Sequence, residues 1–382
     1  SCTRPWPAPV VRPAARMREP YREILVVDLL GGIGDLVMLL PVVHGLARAN
    51  PGGSLRVLTH EPGAALLRGD PAVTRVLTPR HGGAGAAREA VAEALAARRP
   101  DLAVTSTRYD GIPDLLAASG ARCVTDLWRR PPPDEPVGER YLRILLAEGL
   151  LRPEDVALRP AVRLTPAEIA YGESALARRL PAGTPTGTAR PPVVLVTDAG
   201  MDVKRWPAGR WRELAALLAR RGHPLLTPGA RPARGAVDAA PGPEVAVLPR
   251  CGLRGLAACF AAVARRGGVV VGGDTGPLRL AAAAGAATVG LFGPTWAGRY
   301  GIGPGDRGGF LDAASSADLQ GLPGCPHRRP AAITEQPCWW TACCPLSPAG
   351  PACMDDIPVA SVVRAVTRLC AGSPTRHPAG DD

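Results

Sequence analysis

Three short stretches of the chain combine residue types that handle anions and protons. The first is a turn, Gly31, Gly32 and Gly34, ending in Asp35 and running into an apolar stretch at 35–49. The second is Thr197, a polar loop at 198–202, and then Lys204-Arg205-Trp206-Pro207. The third is Asp274-Thr275-Gly276-Pro277, directly after the apolar run 269–273. Hydroxyls, cationic side chains and the amides of a helix start together collect phosphate oxygens. Thr197, Lys204 and Arg205 in the second stretch, with Thr275 and Gly276 in the third, are the candidate ligands. Pro277 opens a helix there, whose Thr275, Gly276 and Leu278 amides form an anion nest. Asp274 is expected to orient the turn or a sugar hydroxyl rather than to touch phosphate. Asp35 suits a different task. At a helix N-terminus a carboxylate stays ionised and can take a proton from a hydroxyl; the other reading is that it simply caps the helix. A dinucleotide fingerprint does not fit, because the third glycine position is Val37 and Asp35 would repel a pyrophosphate.

Composition singles out the same second stretch. Lys204 is the one lysine among 45 basic residues, in a chain rich in Arg, Ala, Gly and Pro. A surviving lysine hints at a place that needs a compact ammonium rather than a planar fork; chance survival is the other reading. A net charge of +11 fits an anionic partner. The arginines are spread along the chain without a recognition helix or an aromatic-interleaved basic patch, so no nucleic acid is expected. No apolar run approaches the roughly 20 residues of a membrane span. Residues 1–20 carry five prolines and four arginines but no apolar signal core, and read as a disordered leader with Met17 as an alternative start. The chain is expected to be cytoplasmic.

These residues need elements to position them. Strand-like runs at 23–28, 55–59, 75–78 and 101–106 alternate with helical runs at 35–49, 86–99 and 141–150. Thr165-Pro166-Ala167-Glu168 is a capping box opening a further helix. Residues 181–192 are rich in Pro, Gly and Thr and read as a linker. Beyond it, strands at 193–197, 224–227, 269–273 and 288–292 alternate with helices at 207–221, 253–266 and 277–284. A chain of 382 residues exceeds one ordinary core. Two α/β domains with parallel sheets are therefore expected, 21–180 and 193–357, followed by a C-terminal helix at 358–372 that could pack across both, and a disordered tail at 373–382. Ligands of such sheets bind beyond the carboxyl ends of the strands, which would put the site in a central cleft.

The motifs in order resemble glycosyltransferase family nine, the ADP-heptose:lipopolysaccharide heptosyltransferases. The resemblance runs from about Tyr21 to Leu369. It is carried by Gly34-Asp35 with Pro41, Lys204-Arg205-Trp206-Pro207, Asp274-Thr275-Gly276-Pro277 with 280–283, and Leu291-Phe292-Gly293-Pro294-Thr295. It implies a GT-B fold, two Rossmann-like domains facing a cleft, the first on the acceptor side and the second binding the nucleotide sugar. It also implies an inverting transfer that needs no cofactor, with Asp35 as base, Gly34 beside it at the donor, and Lys204, Thr275 and Gly276 on the diphosphate. ADP-heptose is the default donor; a glycan or a secondary metabolite is the acceptor. Two positions depart from the family pattern. Arg279 stands where a His is usual, and Pro228-Gly229-Ala230-Arg231 lacks the carboxylate often used for the donor ribose. A GT-B epimerase or phosphorylase, or a non-catalytic nucleotide-sugar-binding protein, would share this frame.

Five of the ten cysteines fall at Cys325, Cys338, Cys343, Cys344 and Cys353, with His327 nearby. There is no C-x-x-C knuckle. A structural zinc or iron held by Cys325, Cys338, Cys343 or Cys344, and Cys353 is one reading; free thiols in a packed loop is another, and disulfides are disfavoured in a cytosolic chain. The segment is expected to lie outside the donor nest, with Trp339 and Trp340 covering its own loop.

Overall fold

The computed structural model describes residues 19–181, 190–229, 242–303 and 315–371. Most of the expected leader and linker, the expected tail and the second half of the Pro228–Arg231 loop lie outside the described residues. The described chain forms two compact units. One holds the residues up to Pro131 together with Val137–Arg163; the other holds Pro132–Pro136 and the residues from Leu164 onward.

The first unit is a five-stranded parallel sheet: β1 (Glu23–Asp28), β2 (Ser54–Thr59), β3 (Arg75–Leu77), β4 (Leu102–Thr105) and β5 (Arg122–Val124), in the order β3-β2-β1-β4-β5. β1 and β4 read as continuous apolar runs because both of their faces are covered. Among the helices are α1 (Ile33–Ala49), α2 (Ala86–Ala97), α3 (Ile112–Ala118) and α4 (Val137–Ala147). α2 and α3 close one core over Leu25, Val27 and Ala103. The chain leaves β1 toward β2 on one side and later returns to β4 on the other. The carboxyl end of β1 is thus a switch point, where such sheets open a crevice.

The second unit repeats this logic with six parallel strands. In chain order come α5 (Pro166–Ala177), β6 (Val193–Val196), α6 (Ala208–Arg220), β7 (Leu225–Thr227), β8 (Val245–Val247) and α7 (Leu253–Arg265). They are followed by β9 (Val269–Gly273), α8 (Gly276–Ala283), β10 (Ala287–Phe292), α9 (Ala297–Tyr300), β11 (Ser316–Gln320), α10 (Ala352–Asp355) and α11 (Val359–Ala371). The strand order is β11-β10-β9-β6-β7-β8, so the switch point lies between β6 and β9. Both belong to a doubly wound α/β architecture, the Rossmann-like half of a GT-B fold.

Two boundaries differ from the sequence reading. α5 was expected in the first domain, but it packs against α7 in the second unit. Its Gly172 lets the helix approach α7 so closely that a Cβ there would lie 2.2 Å from the Ala258 carbonyl oxygen. Glu168 and Glu173 on α5 pair with Arg254, Arg265 and Arg266. α11 packs on α6 and on β9, β10 and β11, closing the core of the second unit. No helix among the described residues is long and apolar enough to cross a membrane.

Candidate functional site

The second unit brings two of the sequence-flagged loops together. β6 and β9 are neighbours in register, Val196 opposite Gly272, so Thr197 and Asp274 leave the sheet side by side at its carboxyl edge. After β6 the chain makes a polar loop and a single 3-10 turn, Asp202–Lys204, before α6 begins. That turn lifts Lys204 back over the Asp274 turn. Its Nζ donates to the Asp274 carboxylate at 3.1 Å and to the Asp274 carbonyl at 3.3 Å.

Asp274 is buried and carries a second cation on its other oxygen, Arg279 Nη2 at 2.8 Å. Burial alone would push this carboxyl up, but Lys204 and Arg279 outweigh it and hold it at about 2. Arg279, on the first turns of α8, also donates to the Tyr300 carbonyl. The Arg279 guanidinium is therefore spent on the Asp274 turn and on α9. Asp318 of β11, half-buried, lies within electrostatic reach of Asp274 and Arg279. Burial pushes it up to about 6, opposed by the Gly303 and Ile302 amides and by Arg279. At neutral pH Asp318 is mostly ionised as well, so the two carboxylates roughly balance Lys204 and Arg279.

The remaining candidates sit as follows. Thr275 is the N-cap of α8, and its hydroxyl accepts from the Leu278 amide at 3.5 Å. The Leu278 amide, expected in the anion nest, is thereby engaged in the cap, while Thr275 and Gly276 form the helix start with Pro277 behind them. Thr197 lies half-buried at the end of β6. Arg205 is held by Asp202 of its own turn at 2.8 Å and does not join the Lys204–Asp274 contact. Trp206 is a packing residue: its indole meets Trp211 edge-to-face at 5.0 Å and donates to the Ile357 carbonyl.

In the first unit, Gly34 and Asp35 are the second and third residues of α1, at the switch point after β1. Gly32 at the α1 N-cap has no side chain to cap with, and the Asp35 carboxylate folds over that glycine, where a Cβ would lie 2.6 Å from Oδ2. A neighbour absent from the sequence reading is Asp28, the last residue of β1. It is buried and accepts from the Ser106 hydroxyl at 2.7 Å. Burial lifts its carboxyl to about 7; the Ser106 and Leu30 hydrogen bonds oppose this, and the charge of Asp35 adds to it. A carboxylate ending the apolar run 24–27, three residues before the glycine turn, was the available signal.

The cysteine segment lies against the same unit. Cys325, Cys338, Cys344 and Cys353, with His327, line one cavity of about 20 Å³, room for roughly one water-sized atom. Cys343 is exposed and outside it, which removes that residue from the expected ligand set. Burial pushes the Cys353 thiol up to about 11 and the Cys338 thiol upward as well. Among the described residues no three His, Cys, Asp or Glu side chains stand close enough to share a metal ion. The segment is also not remote from the donor candidates. Arg328 donates to the Gly293 carbonyl at 2.7 Å, and Gln336 to Pro294 at 3.1 Å. Trp339 faces Lys204, whose Nζ is 5.3 Å from the ring centroid. Trp340 is 74% exposed and covers nothing.

Three comparisons bear on this geometry. Residues 161–307 match the model of glycosyltransferase family 9 (heptosyltransferase). Lipopolysaccharide heptosyltransferase 1 of Pseudomonas aeruginosa is 41% identical over 104 residues, which is 26% of this chain and only 28% of that relative. Among solved structures, the family 9 glycosyl transferase of Veillonella parvula superposes with a TM-score of 0.69 at 16% identity, over 93% of this chain and 99% of that one. ADP-heptose lipopolysaccharide heptosyltransferase II of E. coli gives 0.60 at 18% identity, over 91% and 98%. The iron-containing dodecameric glycosyltransferase TibC of enterotoxigenic E. coli gives 0.57 at 15%, over 92% and 76%.

Proposed function

We propose that the chain, whose residues 161–307 match glycosyltransferase family 9, transfers a sugar from a nucleoside-diphosphate donor to a hydroxyl acceptor. The observation that carries this reading is the Lys204–Asp274 junction at the adjacent carboxyl ends of β6 and β9. It fixes the chain's one ammonium beside the α8 start, where a diphosphate would be neutralised as it leaves. In the proposed step Asp35 takes the proton of the acceptor hydroxyl. The acceptor oxygen bonds to the anomeric carbon, the carbon–oxygen bond to the diphosphate breaks, and the nucleoside diphosphate departs with that electron pair. A single displacement of this kind inverts the anomeric centre and needs no metal for charge neutralisation. ADP-heptose is the proposed donor, a glycan or secondary metabolite the acceptor, and the cytoplasm the compartment.

The test is binding of ADP. Addition of millimolar ADP is expected to raise the melting temperature of the chain, because a ligand bound only by the folded state stabilises it by mass action. Lys204→Arg should weaken ADP binding roughly tenfold, since the fork cannot keep both Asp274 contacts and present one compact donor. No stabilisation by any nucleoside diphosphate would sink the donor reading, and full affinity in the Arg variant would make the lone lysine an accident.

We further propose that the four cavity cysteines hold a structural zinc or iron. Thiolate donors suit both metals; the side chains as they stand are too far apart to share one ion, so binding would draw them together, tie the turns of the segment and take no part in transfer. Elemental analysis of chain purified without chelator should then find about one such ion per molecule, dependent on Cys338 but not on Cys343. A folded, ADP-binding chain free of metal would discard the ion.

A further inference from the structure

The cysteine-rich segment and the candidate donor lysine meet at a single side chain. Trp339 is 6% exposed, and the Lys204 ammonium stands over its ring at 5.3 Å. An ammonium has three donors. Two of them reach Asp274 oxygens, and the electron-rich face of the indole lies against one side of the charge, leaving the third donor for an anion. Trp339 is itself held. Its amide donates to the Gln336 carbonyl at 3.1 Å, and the Gln336 side chain donates to Pro294. Arg328 fastens the same segment to Gly293, directly after β10. β10 lies beside β9, the strand that ends at the Asp274 turn. The lysine is thus fixed from two directions that are remote in sequence: Asp274 beneath it and an indole from the cysteine segment across it.

We propose that Trp339 is a positioning residue for Lys204, which makes the cysteine-rich segment one wall of the donor site instead of a separate appendage. The proposal rests on the reading of Lys204 as a diphosphate ligand. Its physical content is orientation and dehydration: the ring shields one side of the ammonium from water and leaves its reach directed past Asp274. A cation–π contact of this kind accounts for about a 3- to 30-fold change in affinity. Coupling between two groups is reciprocal. Chemistry at Cys338, the residue next to Trp339, should therefore alter ADP affinity, and ADP should slow alkylation of Cys338.

Because Lys204 is the one lysine, lysine labelled with 13C at Cε gives a single resonance that reports on this contact directly. In the full chain, Trp339→Leu is expected to move that resonance by loss of the ring current and to weaken ADP binding about 3- to 30-fold. Trp339→Phe, which keeps a smaller ring face, should fall between. Trp340→Leu, at the exposed neighbour, should change neither, and controls for general damage to the segment. A Lys204 resonance that stays in place in Trp339→Leu, in a variant that melts as a folded protein, overturns the proposal. Absence of ADP binding in the unaltered chain would instead remove the donor reading, while the resonance still decides whether Trp339 holds the lysine.

Discussion

Replacing Asp274 by Asn is expected to cost about 3–5 kcal/mol of folding stability, the largest loss of any single polar change in the second unit. The reason is one-sidedness. Asp274 is the shared counter-charge of Lys204 and Arg279, whose side chains are 16% and 5% exposed. Asparagine keeps the shape but leaves two cations facing each other with little water to screen them. Urea denaturation of the variant, followed on the second unit, measures the loss. Asp202→Asn serves as the contrast, because its pair with Arg205 is largely exposed, with the carboxylate at 73%, and such pairs contribute about 0–1 kcal/mol.

The pH dependence has a definite sign. The folded-state carboxyl is held at about 2, below its ordinary 3.8. Its stabilisation is therefore present above 3.8 and drains away as pH falls toward 2. The stability gap between the natural chain and the Asn variant should close over that same window. A gap below 1 kcal/mol at neutral pH, or one that ignores acid, would mean that Asp274 is not the keystone of the cluster.

Asp35→Asn is expected to lower turnover by about 10²- to 10⁴-fold, the range that a positioned base supplies, while ADP affinity stays as it was. Asparagine fills the same space over Gly32 and cannot accept a proton. Initial-rate measurements beside ADP titrations separate the two effects. Turnover that survives the change would strip Asp35 of the base role. A natural chain that binds ADP but shows no transfer or donor hydrolysis would favour a binding protein. Asp28 sharpens this experiment. With its carboxyl lifted to about 7, it is protonated over most of the acidic range and adds its charge beside Asp35 only as the pH rises through neutrality.

Much of the fold was legible because it rests on local signals. Long apolar runs such as Val269–Gly273 are strands buried on both faces, and their alternation with amphipathic stretches such as α6 and α7 leaves few topologies. The elements that escaped notice have weak local signals. β5 and β8 are three residues long. β11 reads Ser-Ala-Asp-Leu-Gln and becomes a strand by pairing with β10. α5 was legible as a helix from its capping box, but its unit was not: that depends on Gly172 and two glutamates finding α7.

The chemistry divides in the same way. Sequence by itself determined which residue types were available: a lone lysine, a carboxylate at a helix start after β1, an Asp-Thr-Gly-Pro turn after β9, and a cluster of thiols. Each is readable because its environment is set by neighbours within a few positions. Only the tertiary structure decided what they meet. It paired Lys204 with Asp274 across 70 positions, assigned Arg279 to the same carboxylate, left Cys343 outside the cavity, buried Asp28 against Ser106 and laid Trp339 over the lysine. Those contacts follow from strand order and register. Adjacent parallel strands deliver loops far apart in sequence to one edge of a sheet, and no local pattern records which loops those will be.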